Sequence, residues 1–137
     1  MLPENHEFMV HLRANKVLGV RDSIPTPEVH GPERGELLVL GWGSTAGTIQ
    51  GAVDQLERQG KRVARMHLRH LWPLPHGLDA IFSNYTRVLV PEMNLGQLVR
   101  VLRSEYPHHD FVSHPKVQGQ PFRVHEIVHK IESLLES

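Results

Sequence analysis

The chain has 137 residues, and its 15 basic and 15 acidic side chains leave no net charge, so it lacks the electrostatic footprint of a nucleic-acid or anionic-membrane binder. It contains no cysteine, which excludes a thiolate-held iron–sulfur cluster, a thiolate zinc site and a disulfide framework within this chain. No apolar stretch approaches the roughly 20 residues of a membrane span and the N-terminus lacks a signal-peptide core, so the expectation is one cytoplasmic domain with no membrane or nucleic-acid partner.

Pro3-Glu4-Asn5-His6 leads into a modestly amphipathic stretch with Phe8, Met9, Leu12 and Val17, which reads as a helix. Arg21 to Gly35 follows with Pro25, Pro27, Pro32, Gly31 and Gly35 among polar residues. Proline removes backbone donors and disfavours helix, so this stretch reads as a connector. Residues 1–35 are therefore expected to be an N-terminal helix and proline-rich linker, and residues 36–137 the folded domain. A helix and linker ahead of the first core strand point to a chain that once continued upstream.

From Glu36 onward strand and helix patterns alternate. Leu37-Leu38-Val39-Leu40 is a short apolar run ending at Gly41 and Gly43. The helix after it has Ser44 or Thr45 as N-cap and Ile49, Val53 and Leu56 on its buried stripe, closing at Gly60. Arg62 to Leu68 reads as a second strand, Gly77 to Phe82 as a short helix and Val88-Leu89-Val90 as a third strand. Leu95 to Tyr106 is helical with Leu98, Val101 and Leu102 inward, Phe111-Val112 is a fourth strand, and Val124 to Leu135 is the last helix. This alternation implies right-handed crossovers and a mainly parallel sheet covered on both faces.

A distinctive turn follows each strand. These are Gly41-Trp42-Gly43-Ser44-Thr45, the segment Leu68 to Pro75, the segment Pro91 to Leu98, and Lys116 to Phe122. The C-terminal strand ends of a parallel sheet share one edge, where such folds place their ligand and contact surfaces. The first turn has two glycines, Gly41 and Gly43, and its backbone amides at a helix start, with the hydroxyls of Ser44 and Thr45 nearby, suit an anion. The turn has neither the dinucleotide fingerprint nor a phosphate-loop lysine, so the favoured reading is a tight capped turn. Trp42 on such a loop is expected to be buried against something, including a neighbouring domain. Arg69 and His70 suit a carboxylate or phosphate, while Trp72 and its flanking prolines read as a stiff, packed connector. Asn94 is placed to cap the third helix, Gln97 lies beside it, and Glu92 is a lone rim carboxylate, which makes a poor acid–base pair. No residue is assigned a catalytic role.

Gly47 and Gly51 in the first core helix each cost about 1 kcal/mol relative to alanine, so they are expected to permit a close approach, to the chain's own sheet or to a partner. His125-Glu126-Ile127-Val128-His129 matches the H-E-x-x-H zinc signature. However, Val124, Ile127, Val128, Ile131, Leu134 and Leu135 define the packing face, which puts both histidines on the opposite, polar face. Among 11 histidines a chance match is not rare enough to compel, so no metal site is assigned.

As an ordered set, GWGST, HLRHLWPLP, VPEMNLGQL and GQPF, spanning Gly41 to Phe122, resemble the C-terminal domain of the alpha subunit of 2-oxoacid:ferredoxin oxidoreductases, particularly the 2-oxoglutarate type. Residues His6 to Pro25 resemble the helix and linker before that domain. Trp72 is a departure, at a position where the family more often carries a polar residue. The resemblance implies a transketolase C-terminal-like fold, with three α/β/α layers around a mainly parallel sheet of about five strands. The fifth strand would come from the connector around Ser23 to Val29.

By the same resemblance, the full enzyme oxidatively decarboxylates a 2-oxoacid to an acyl-coenzyme A. It uses thiamine diphosphate, magnesium, an iron–sulfur cluster and coenzyme A, none of them held by this chain. The implied partners are the upstream thiamine-binding domain of the same subunit, the beta subunit and, indirectly, ferredoxin. This chain would then be a supporting, non-catalytic domain. The alternative is a free-standing α/β module whose glycine turn and Arg69-His70 hold a small anionic ligand.

Overall fold

A computed structural model describes residues 25–69, 74–92, 97–116 and 121–136. The expected N-terminal helix, and His70, Trp72 and Asn94, lie outside the described residues. Among the described residues five strands form one sheet: β1 (Val29–His30), β2 (Gly35–Trp42), β3 (Ala64–Leu68), β4 (Tyr85–Glu92) and β5 (Phe111–Pro115). The helices are α1 (Ala46–Arg58), α2 (Leu78–Phe82), α3 (Gln97–Glu105) and α4 (Val124–Leu135). A single 3₁₀ turn, Gly43–Thr45, joins β2 to α1.

The strand order is β1-β3-β2-β4-β5, parallel except for β1, which runs antiparallel to β3. β2 is central, and its inner residues Leu37 to Leu40 are buried on both faces, the reason the strand reads as a continuous apolar run. Leu38 and Leu40 face a core shared with Leu78 and Phe82 of α2 and Leu98, Val99 and Leu102 of α3. Leu37 and Val39 face Ile49, Val53 and Leu56 of α1 and Ile127, Val128 and Ile131 of α4. The molecule therefore has the three α/β/α layers expected from the sequence.

The fifth strand does come from the proline-rich segment, but as two residues within it, Val29 pairing with Met66 and His30 with Arg65. Gly31 turns the chain away with φ 106°, and a Cβ there would lie 2.9 Å from the carbonyl oxygen of Val63. The Tyr85 hydroxyl donates to the Pro32 carbonyl at 2.6 Å, pinning the same segment to β4. Part of the stretch read as linker is thus built into the sheet.

The glycines of α1 do not approach the sheet. A Cβ on Gly51 would meet Val124 of α4 at 3.1 Å, and one on Gly47 would meet nothing within 4 Å. The close approach is helix to helix, between α1 and α4.

Candidate functional site at the C-terminal rim of the sheet

The chain leaves β2 for α1 on one face of the sheet and leaves β4 for α3 on the other, although β2 and β4 are neighbours. Their C-terminal ends therefore flank the topological switch point, the crevice in which open α/β sheets bind ligands. Trp42 ends β2 and Glu92 ends β4. By strand alternation both side chains lie on the α2/α3 face, with Leu38 and Leu40 below Trp42 and Val88 and Val90 below Glu92.

Glu92 is fully buried, one of two buried polar side chains among the described residues; Thr45 is the other. Its Oε1 accepts from the backbone N–H of Leu98 at 2.7 Å, and its Oε2 from the backbone N–H of Val99 at 3.2 Å. The indole N–H of Trp42 donates to Oε1 across the switch point at 3.4 Å. A carboxylate at these first-turn amides satisfies donors that a helix leaves unpaired and sits at the positive end of its dipole. Glu92 thus caps the amides of Leu98 and Val99. With its oxygens engaged by three N–H groups, Glu92 is placed to hold the rim together.

The turn on the β2 side is built from the same few residues. Gly41 has no side chain because a Cβ would stand 2.5 Å from Ile49 Cδ1 and 3.1 Å from Thr45 Oγ1. Gly43 has φ 64°, a conformation that glycine adopts without strain. Thr45 stands at the N-cap position of α1 but in helical conformation, and its hydroxyl caps no amide of that helix. The hydroxyl turns back instead, donating to the Trp42 carbonyl at 2.8 Å and accepting from the Trp42 N–H at 3.3 Å. This corrects the expected capping role: Thr45 fastens Trp42. Ser44 and Gly43 are exposed, as are Arg69 and Gln97. The rim thus joins Trp42, Thr45 and Glu92 in one hydrogen-bonded set, which includes neither Arg69 nor Gln97.

On the opposite face of the rim, His67 and His114 each bury Nδ1 without a hydrogen-bond partner. Burial, reinforced by the charge of Arg69, lowers the pKa of His67. Burial also lowers that of His114, assisted by Lys130 and Lys116 and opposed by Glu126. His114 packs its ring against the edge of Phe122, centroids 5.2 Å apart. Neither histidine stood out in the sequence, where the pair on α4 matched a zinc signature instead. His125 and His129 are exposed on α4, and among the described residues no three His, Asp or Glu gather as a metal site.

Residues 35–127 match the model of the pyruvate:ferredoxin oxidoreductase core domain II family. The chain is similar to 2-oxoglutarate oxidoreductase subunit KorA of Mycobacterium tuberculosis, 42% identical over 97% of this chain and 20% of that protein. It is also similar to a solved 2-oxoglutarate:ferredoxin oxidoreductase from Magnetococcus marinus with 2-oxoglutarate, coenzyme A and succinyl-CoA bound. There the TM-score is 0.83 at 33% identity, over 98% of this chain and 24% of that one. A split-gene transketolase, an inactive beta4 tetramer, shares the fold with a TM-score of 0.60 at 16% identity, over 80% of this chain and 41% of that one. The chain thus spans about a fifth of the Mycobacterium relative. The family match runs from the first residue of β2 into α4, and the chain belongs to the pyruvate:ferredoxin oxidoreductase core domain II family.

Proposed function

We propose that this chain is the supporting domain of a 2-oxoacid:ferredoxin oxidoreductase alpha subunit, of the 2-oxoglutarate type, acting in the cytoplasm. Its rim docks on the thiamine-binding part of the enzyme, and its Trp42 turn and the start of α3 are the contact elements. The decarboxylation and electron-transfer chemistry, with thiamine diphosphate, magnesium, iron–sulfur clusters and coenzyme A, belongs to the rest of that subunit and to its beta partner. The absence of cysteine places any thiolate-held cluster outside this chain. The observation that carries the reading is the filled switch point. Where an open α/β sheet usually receives a small ligand, Trp42 and Glu92 meet each other. Against a free-standing module that holds a small anion at its glycine turn and Arg69-His70, the Thr45 hydroxyl of that turn is already engaged by the backbone of Trp42.

The test is to tag the protein in its native cell, purify it under mild conditions and identify what accompanies it. The expected result is a fraction in which the tagged sequence is fused to, or bound with, thiamine-binding and cluster-binding polypeptides. That fraction should reduce viologen with 2-oxoglutarate and coenzyme A. A free monomer with no such polypeptides and no such activity would overturn the proposal.

A further inference from the structure

We infer that Glu92 acts as an internal ligand of the switch point, a positioning residue that binds the Trp42 turn and the start of α3 into one unit. Three observations carry this. The side chain is fully buried at a place where the fold leaves a crevice. It engages the first-turn amides of α3 at 2.7 and 3.2 Å, the geometry with which helix starts hold exogenous anions. Its third donor, the Trp42 indole, comes from the neighbouring strand and the opposite crossover. Glu92 is therefore the group through which the two rim elements meet. Thr45, bonded to both backbone groups of Trp42, extends the unit into the start of α1. Any energetic coupling between the two elements is reciprocal, so a change at either must be felt at the other.

The inference concerns this chain alone and stands or falls separately from the docking role. In Glu92→Ala, removal of the carboxylate should unseat the Trp42 indole and open a site for a small carboxylate. Formate is the probe, with chloride at equal ionic strength as the control. The expected result is a lowered Tm that formate restores better than chloride, with the Trp42 indole N–H resonance returning toward its wild-type position. A folded variant on which formate acts no differently from chloride would overturn the inference, as would an unmoved indole resonance. If Glu92→Ala does not fold, Glu92→Gln and Thr45→Val decide. Glu92→Gln keeps the shape but loses the charge-assisted bonds, and amide exchange at Leu98 and Val99 should quicken about tenfold. Thr45→Val, which touches neither Glu92 nor α3, should also speed exchange at those two amides. Unchanged exchange there in both variants would sink the idea.

Discussion

Arg103 donates from Nη2 to the carbonyl oxygen of Phe111 at 2.8 Å, and this contact shields the outer edge of the sheet. Val88 N–H donates to the Asp110 carbonyl, and Lys116 N–H to the Glu92 carbonyl. Residues 110, 112, 114 and 116 therefore turn their backbone groups toward β4, and 111, 113 and 115 turn theirs outward. Arg103 occupies the Phe111 carbonyl, and Pro115 has no N–H. Within β5, Ser113 is the residue that presents both an N–H and a C=O outward, too short a template for strand addition.

Removing this protection should expose the edge. Arg103→Ala is expected to cost about 0.5–1.5 kcal/mol of stability, and Arg103→Ala with Pro115→Val to raise the concentration-dependent oligomer fraction in sedimentation velocity. A double variant that sediments as the wild type would show that the edge is guarded in another way.

The two glycines on either side of the first rim turn should respond with opposite signs. Gly41→Ala drives a methyl into Ile49 and Thr45, and is expected to destabilise by about 1–3 kcal/mol, the cost of overpacking. Adding Ile49→Val should recover part of that loss. Gly47→Ala meets open space and should stabilise by up to about 1 kcal/mol, as a helical glycine replaced by alanine does. Urea unfolding of the four proteins decides the signs.

Stability should fall on mild acidification. His67 and His114 both have folded pKa values lowered by burial, so the unfolded chain binds their protons more readily. Their contribution is complete above the unfolded value of about 6.5 and is lost as pH drops below it toward the folded values. Around His114 the facing charges are Lys130 and Lys116, with Glu126 opposing them. Urea midpoints measured from pH 7.5 to 5 should decline, and His114→Gln should flatten the slope. A slope unchanged by that substitution would remove His114 from the account.

The ammonium of Lys116 donates to Glu126 Oε1 at 2.6 Å and to the Pro121 carbonyl at 3.1 Å, joining the end of β5 to the start of α4. The bond to Lys116 and one from the Arg123 N–H hold the Glu126 carboxyl below its ordinary pKa. Lys116→Met should raise that pKa toward the ordinary carboxylate range, followed by carbon-detected NMR titration of the side-chain carboxyl. An unmoved titration would mean that the Arg123 amide alone sets it.

Much of this architecture was legible in the residue pattern, and the exceptions have physical causes. α4 runs from Val124 to Leu135 as its amphipathic spacing predicts. β4 was read as Val88 to Val90 but extends from Tyr85 to Glu92, because Pro91 and Glu92 carry no strand propensity and are held there by burial. The two-residue β1 is set by its partner β3, with no periodicity of its own to read. Glu92 is the instructive case. A local cap reaches two or three residues ahead, whereas this carboxylate acts six and seven residues downstream. The available signal was its place two residues after Val90, where a charged residue continues the inward-facing parity of Val88 and Val90. That the parallel strands end on one edge was legible from topology, while the bond from Trp42 to Glu92 depends on side-chain geometry that no spacing rule encodes.

The central position of β2 has a kinetic consequence. Leu38 pairs with Ala64 on one side and Val88 on the other, so the most apolar strand of the sheet waits for partners far along the chain. Parallel pairings of such separation form slowly, and until they close Leu37 to Leu40 is an exposed, β-prone run of the kind that aggregates. The exposed Glu36 directly before it puts a charge against that run during the interval. Glu36→Val should leave the native sheet intact yet lower the yield of refolding from urea, with light scattering rising in proportion to protein concentration. An unchanged yield would show that the run is sheltered early by contacts formed before the sheet.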